Sequence, residues 1–405
     1  MEFSVRKLLK GDRIIWIVLF FLTLISMLVV YSATGRLAYR NVGGNTAHYV
    51  VRQAVFIIIG FGVMILLVNV VPIKIYSSFA NLLMIVLLLF MIMAVFQDIV
   101  SSEKVTPRSL DLGFFSFQPG EMAKIVLVIF SAKILSERQG SREELKNAFF
   151  KIIIACIIIC GIIMIGNAST AMMIFGCIWV LMFIGRVPFK YLGLTVLFGI
   201  LLIGAVYFTA DYCPAGFGRV HTVKERIDNF IHGDDDSKQG TTQLEYAKLA
   251  IYEGGFTGNG PGSSEVSNYM EDNYNDFIFS IIVEEYGLAG GFFLLFLYLV
   301  LFYRGIVIVR RSNRTFPAFM ATGLILMLVF QAMIHMAVNV GLCPVTGQPL
   351  PWVSMGGTSI LFTSVSFGIL LSVSYQNQQN DEKEKEKEKE KEIIIEEKST
   401  KKVDR

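Results

Sequence analysis

From Thr315 to Asn380 the chain runs 66 residues without one Asp, Glu, Lys or Arg. A single helix of that length would reach roughly 100 Å at 1.5 Å per residue. A hydrocarbon core is about 30 Å thick and takes about 20 apolar residues per helix. The stretch therefore reads as two membrane spans, parted by Gly341–Pro351, which is rich in Pro and Gly. The same rule applied elsewhere gives spans at Ile14–Gly35, Gln53–Ile73, Ile75–Gln97 and Tyr191–Ala210. Ile152–Gly185 is charge-free for 34 residues, and its polar break Gly166-Asn167-Ala168-Ser169 divides it into two short spans. Ile125–Ala132, between Lys124 and Lys133, marks a span with a lysine in its first turns, and another opens near Asp276 and runs to Tyr303.

The expected fold is an all-α polytopic membrane protein of ten transmembrane helices, with a large extracytoplasmic loop, residues 211–275, between helices 7 and 8. Composition agrees: 54% of residues are apolar and 17% charged, against about a quarter charged in soluble domains. A soluble two-domain enzyme, a nucleic-acid binder and a disordered scaffold are all excluded. Basic residues set the orientation. One set of short loops carries sixteen, among them Arg6, Lys74, Arg138, Arg186 and Arg311, and the other set five: Arg36, Arg40, Arg52, Lys104 and Arg108. The positive-inside rule then puts both termini in the cytoplasm. The first span lacks a small-residue cleavage site and reads as an anchor. Residues 1–380 form the transmembrane domain, and 381–405, a Lys/Glu repeat, a solvated, mobile cytoplasmic tail. Cys156, Cys160 and Cys177 read as small apolar fillers, whereas Cys213 and Cys343 share the external side, where a disulfide is chemically possible.

Ionisable groups at membrane depth are costly, which makes them functional candidates. Gln118-Pro119-Gly120-Glu121 opens a span, with Pro119 suited to the first helical position and Glu121 to the positive end of the helix dipole. Lys124 either pairs with Glu121 at i,i+3 or, beside Arg108, holds a lipid-linked phosphate at the outer interface. In the large loop, Arg219, His221, Lys224 and Arg226 form a basic cluster in a segment of 11 acids and 5 bases. It is either a solvated face or a pyrophosphate site. Gly254–Gly262 fails as a dinucleotide fingerprint, because no strand precedes it, and reads as tightly turned backbone. Asp276 is either an N-cap or a rim carboxylate with the basicity a general base needs. Glu284 and Glu285, two turns further, point about 100° apart. At least one should be buried against a cation such as Lys124, or be protonated, in a structural or a substrate-positioning role. Val345–Ser359 reads as a re-entrant or tightly turned cap on the bundle.

With these residues in view, the chain resembles the SEDS family (shape, elongation, division and sporulation), ten-span peptidoglycan glycosyltransferases. Five blocks carry the likeness in order. Val30-Tyr31-Ser32-Ala33-Thr34 precedes Arg52-Gln53. Phe117–Lys124 is similar to the family's Phe-Gln-Pro-Ser-Glu-x-x-Lys. Arg226 and Gln243 stand where the large loop carries Arg and Gln. Asp276–Gly287 and Pro344–Ser359, with Ser354, match two further blocks. Gly120, Ser109, Asn275, Met355 and the turn 166–169 depart from the family pattern, and the last puts any family role of that turn in doubt.

The resemblance implies a lipid II polymerase acting at the outer face of the bacterial cytoplasmic membrane. Asp276 would be the catalytic base. Arg108, Gln118, Glu121, Lys124, Arg226, Gln243, Glu284 and Ser354 would bind substrate, with Arg108, Lys124 and Arg226 stabilising the departing pyrophosphate. No nucleotide cofactor is needed. A divalent cation, Mg2+ or Mn2+, would help neutralise the pyrophosphate, although no ligand set is legible. Implied partners are lipid II, a class B penicillin-binding protein and other divisome proteins, and no nucleic acid. Val345–Pro351 and the short carboxyl-terminal region resemble the division (FtsW-like) branch more than the elongation (RodA-like) one. Two rivals remain. A flippase or transporter predicts discontinuous helices, inverted repeats and midplane sites. A structural recruiter of division proteins gives no reason for Asp276 and its neighbouring cations.

Overall fold

The computed structural model describes residues 9–100, 110–111, 116–209, 239–270 and 273–403. These form thirteen α-helices: α1 (Arg13–Ala33), α2 (Gly35–Val42), α3 (Ala47–Val70), α4 (Ile73–Val100), α5 (Pro119–Glu137), α6 (Arg142–Gly166), α7 (Ala168–Ile184), α8 (Phe189–Thr209), α9 (Gln239–Gly254), α10 (Asn273–Asp276), α11 (Ile278–Arg310), α12 (Thr315–Asn339) and α13 (Gly357–Val403). Between α4 and α5 a two-residue antiparallel pair, β1 (Leu110–Asp111) with β2 (Ser116–Phe117), is the one departure from an all-helical chain among the described residues. Seven helices are long and apolar enough to cross a membrane, and two shorter apolar ones, within α7 and α8, accompany them. The protein is an all-α polytopic membrane protein.

Local chemistry explains where helices begin. Asp12 caps α1, accepting from the N–H groups of Ile14 (2.9 Å) and Ile15 (3.3 Å). Ser141 caps α6 through the Glu144 N–H at 3.2 Å, and Glu144 reaches back to the Gly140 N–H at 3.0 Å, close to a capping box. The break expected at 166–169 narrows to Asn167, whose side chain caps α7 through the Thr170 N–H at 3.1 Å. Pro119 opens α5 as the sequence suggested.

α12 is the central helix, packed against α5, α7, α11 and α13. α13 lies along α3, and α11 along α1 and α12. Gln331, His335 and Asn339, spaced four apart on α12, are all buried. The outward faces are apolar instead: Ile58, Leu66 and Phe96, for example, each expose more than half their surface, as a lipid-facing helix should.

Two expectations change. α13 does not stop at the bilayer but continues helical through the Lys/Glu repeat to Val403. Glu and Lys are strong helix formers, and no Pro or Gly interrupts 381–403. α11 is not one continuous rod: Gly287 has φ 68°, ψ −175°. Leu288 and Ala289 donate to the carbonyls of Gly255 (2.9 Å) and Phe256 (3.3 Å), while Asn259 and Gly260 donate to those of Glu284 and Glu285 at 2.9 Å each. The glycine-rich segment after α9 is thus threaded backbone to backbone into the break. A Cβ on Gly258 would lie 2.2 Å from the Glu285 carbonyl oxygen, and one on Gly287 2.2 Å from that of Phe256. That is why this segment needs glycine.

Candidate active site around Asp276

Arg304, in the last third of α11, reaches Asp12 at the start of α1, with Nε at 3.0 Å from Oδ2. α11 therefore begins at the end of the bundle opposite the chain ends, and Asp276 precedes it there. The residue does not cap α11: Phe277 occupies the cap position with φ −125°, ψ 22°, and its own side chain makes no capping hydrogen bond. The Asp276 carboxylate is turned to the segment between α12 and α13. Its Oδ2 lies 3.3 Å from the point a Cβ on Gly347 would occupy, and Gly347 has φ +63°.

Uncharged polar side chains fix both sides of this contact. Asn339 donates to the Asp276 carbonyl (3.2 Å) and to that of His335 (2.8 Å), and accepts from the Ser280 N–H (3.1 Å). Ser354 Oγ donates to the Asn275 carbonyl and accepts from the Leu350 N–H, both at 2.8 Å. His335 Nδ1 sits 2.8 Å from the Gln348 carbonyl, which can only accept, so Nδ1 carries the proton. Gln348 donates to Thr170 Oγ1, Gln331 to the Pro349 carbonyl (2.8 Å) and Tyr298 OH to the Pro351 carbonyl. From α1, Ser26 donates to the Val353 carbonyl (2.9 Å), and Trp352 Nε1 donates to Thr23 (2.9 Å). Gln53, beside Arg52 in the first resemblance block, donates to Ser26 at 2.9 Å. Of the cap expected at Val345–Ser359, residues 345–356 are tightly turned, with Leu350, Trp352 and Val353 buried, and 357–359 already belong to α13.

The other candidates fall into three groups. Glu121 and Lys124 form a buried ion pair at 2.6 Å, and the ammonium also donates to Gln331 Oε1 at 2.7 Å. Of the two expected roles for Lys124, this is the pairing one: the residue is 5% exposed, inside the bundle. Gln118, exposed at the start of α5, lines a small cavity with Glu121, Asn167 and Thr170. Gln243 is half-buried in α9, and Arg108, Arg226 and Cys213 lie outside the described residues. Cys343 is a free thiol.

Glu284 and Glu285 do not meet Lys124 or any other cation among the described residues. Glu284 accepts from Ser264 Oγ and from the N–H groups of Glu265 (2.9 Å) and Val266 (3.1 Å). Glu285 accepts from Ser32 Oγ. Both carboxylates tie the loop after α9, and the end of α1, to the broken part of α11. The direct pairing with Lys124 is corrected: Lys124 turns to α12.

An apolar groove of about 540 Å³ runs between α7, α12 and residues 343–348, lined by Met172, Trp179, Phe330 and Val345 among others. Thr346 and Gln348, which flank Gly347, also line it. Among the described residues no three His, Cys, Asp or Glu side chains converge as a metal site.

Fold and site together define a polytopic helical protein that carries a carboxylate at one end of its bundle, braced by a buried polar network. Residues 12–379 match the family model of the FtsW/RodA/SpoVE cell cycle proteins, and the chain belongs to that family. It is 30% identical to stage V sporulation protein E of Bacillus subtilis over 381 residues, 91% of this chain and 98% of that one. It is 28% identical to the probable peptidoglycan glycosyltransferase FtsW of Taylorella equigenitalis, covering 84% and 91%. It is 26% identical to the peptidoglycan glycosyltransferase MrdB of Escherichia coli, covering 89% and 93%. Among solved structures, a chain described under coordination of polymerization and crosslinking by a peptidoglycan synthase complex superposes with TM-score 0.69 at 22% identity, covering 91% and 99%. The rod shape determining protein RodA of Thermus thermophilus gives 0.62 at 20%, covering 90% and 96%. These two likenesses concern the fold.

Proposed function

We propose that the chain is a peptidoglycan glycosyltransferase that polymerises lipid II at the outer face of the bacterial cytoplasmic membrane, in septal wall synthesis. The observation that carries this reading is the Asp276 carboxylate, set against Gly347 at the bundle end remote from both chain ends. The seven long apolar helices, the two shorter ones and α5, which carries Glu121, Lys124, Lys133 and Glu137, make ten spans in this reading. Both termini are then cytoplasmic, and residues 211–275 form the extracytoplasmic loop.

The acceptor's GlcNAc 4-hydroxyl loses its proton to Asp276 as its oxygen attacks C1 of the donor's MurNAc. The O4–C1 bond forms, the C1–O bond to pyrophosphate breaks, and undecaprenyl pyrophosphate leaves with the electron pair, inverting C1. Charge on the leaving group falls to Arg108 and Arg226. Lys124, already committed to Glu121 and Gln331, holds the Gly347 segment in place through the Gln331–Pro349 hydrogen bond. The groove between α7 and α12 takes part of the isoprenoid chain, which brings the headgroup to Gly347 and Asp276. Transfer partners are a class B penicillin-binding protein, as transpeptidase, and other divisome proteins.

The break at Gly287 is the feature that favours a transporter. Its freed amides and carbonyls bond to residues 255–260, so the break is sealed by protein, whereas a transporter's broken helix lines a substrate site. Purified protein supplied with lipid II tests the reading. Wild type should build glycan chains and Asp276→Asn none, while still inserting in the membrane. Chain growth by the variant at the wild-type rate would discard the assignment. Lipid II crossing a vesicle bilayer with no polymer formed would favour transport.

A further inference from the structure

At the end of the bundle that holds both chain ends, α1, α11 and α13 enclose a cavity of about 910 Å³. Its walls are fixed by hydrogen bonds. Asp12, capping α1, also receives the Arg304 guanidinium through Nε and Nη2. Gln378 donates to the Gly11 carbonyl (3.2 Å), Asn377 to that of Ile308 (2.9 Å) and Trp16 Nε1 to that of Lys10 (3.0 Å). The Lys10 ammonium lies 4.8 Å from the centre of the Tyr375 ring, a cation–π contact. Gly11 presses so closely on α13 that a Cβ would stand 2.8 Å from the Leu371 carbonyl oxygen. The cavity is thus shaped before anything enters it.

The lining carries one more cation than acids, and two of its guanidinium groups have no partner among the described residues. Lys10, Arg13, Arg304 and Arg311 line the cavity with Asp12, Asp381 and Glu382. Asp12 and Arg304 neutralise each other. Among the described residues the Arg13 and Arg311 guanidinium groups meet no acid or carbonyl. The rim is apolar on one side: Ile14 and Ile17 line the cavity and expose 38% and 54% of their surface, and Phe21, one turn on, exposes 38% against Phe293 of α11. These positions, spaced three and four apart, share one helix face. An occupant must be anionic at one end and apolar at the other.

We infer that this cavity binds an anionic phospholipid of the leaflet at the chain-end face. Its phosphate lies between Arg13 and Arg311, and its acyl chains run down the Ile14–Ile17–Phe21 strip. Guanidinium forks match phosphate oxygens in pairs. Basic pockets between transmembrane helices are where anionic headgroups bind, and the volume is within the range of small-molecule sites. The inference is independent of the glycosyl-transfer reading, whose site is at the other end of the bundle.

The test is native mass spectrometry of the full-length protein with equimolar phosphatidylglycerol and phosphatidylcholine of identical acyl chains. Phosphatidylglycerol adducts should survive activation at least fivefold more often than phosphatidylcholine adducts. In Arg13→Gln/Arg311→Gln, both exposed positions, that preference should fall to near one with an unchanged melting temperature. The control Arg142→Gln/Arg310→Gln removes as much charge outside the cavity lining and should keep the preference. Equal retention of the two lipids in wild type, or equal loss in both double variants, would overturn the inference. So would displacement of the lipid by millimolar inorganic phosphate, which would mark a site for free anions.

Discussion

Asn339 and Asp276 are joined across a helix break: the Asn339 amide donates to the Asp276 carbonyl at 3.2 Å and accepts, through its oxygen, from the Ser280 N–H at 3.1 Å. One side chain on α12 thereby satisfies both ends of the turn that aims the carboxylate. A buried polar group left without its partner costs about 1–3 kcal/mol. Asn339→Ala should therefore lower the melting temperature by several degrees and slow lipid II polymerisation at least tenfold. Asn339→Asp keeps the acceptor but turns a carboxylate oxygen toward the Asp276 and His335 carbonyls, so its rate should fall at least as far. Steady-state kinetics with thermal unfolding check both. Wild-type turnover in Asn339→Ala would mean that the break needs no brace.

Gly347→Ala probes the carboxylate more directly. The added methyl would lie 3.3 Å from Asp276 Oδ2, at a φ of +63° that already disfavours a side chain. Gly255→Ala supplies the control, since its φ is +53° but nothing lies within 4 Å. Both variants carry a left-handed backbone penalty of roughly 1–2 kcal/mol. Only Gly347→Ala should lose chain growth, by tenfold or more, with comparable thermal stability. Equal activity in the two would separate Gly347 from the chemistry.

The seven long apolar helices were legible because hydrocarbon excludes charge, and a charge-free run of bilayer length is rarely anything but a span. Pro119 and the break at Asn167 were legible for an equally local reason, cap chemistry. The polar interior was not. Gln331, His335 and Asn339 stand four apart on one face of α12, but uncharged amides and imidazoles carry no charge to mark them out within an apolar run. Their partners are distant in sequence: Ser280 is 59 residues from Asn339, and Thr170 is 178 from Gln348. The same holds for Glu284 and Glu285. Spacing fixes their angular separation, yet their partners are a hydroxyl and amides of the loop after α9 and Ser32 of α1. The helical tail was obscured because like charges at i,i+4 oppose a helix while the intrinsic propensity of Lys and Glu favours one, and the propensity wins.

The glycine thread through α11 makes a sharp contrast among three glycines, all of positive φ. A methyl on Gly258 or Gly287 would stand 2.2 Å from a carbonyl oxygen, whereas Gly262, at φ +78°, has open space around it. No rotamer change relieves a backbone collision. Gly258→Ala and Gly287→Ala should prevent accumulation of folded protein in the membrane, and Gly262→Ala should cost only about 1–2 kcal/mol. Size-exclusion profiles of detergent extracts distinguish the outcomes, and a monodisperse Gly287→Ala protein would show that the thread can separate.

Glu121 and Lys124 offer a double-mutant test of how the interior is held. Removing one partner of a buried ion pair strands the other charge and costs about 3–5 kcal/mol, whereas replacing both is often nearly neutral. Lys124→Met leaves a carboxylate that is 7% exposed without its ammonium, and Glu121→Gln leaves the ammonium with Gln331 alone. The double variant should unfold at a higher temperature than either single one. Activity should follow a different order. Lys124→Met also releases Gln331 Oε1, whose amide holds the Pro349 carbonyl two residues from Gly347. Polymerisation should therefore remain low in the double variant even as its stability returns. Thermal unfolding and lipid II turnover measured on the same four preparations decide the matter. Strictly additive losses of stability would mean that the pair is not coupled, and full recovery of turnover would mean that Lys124 does not act through the Gly347 segment.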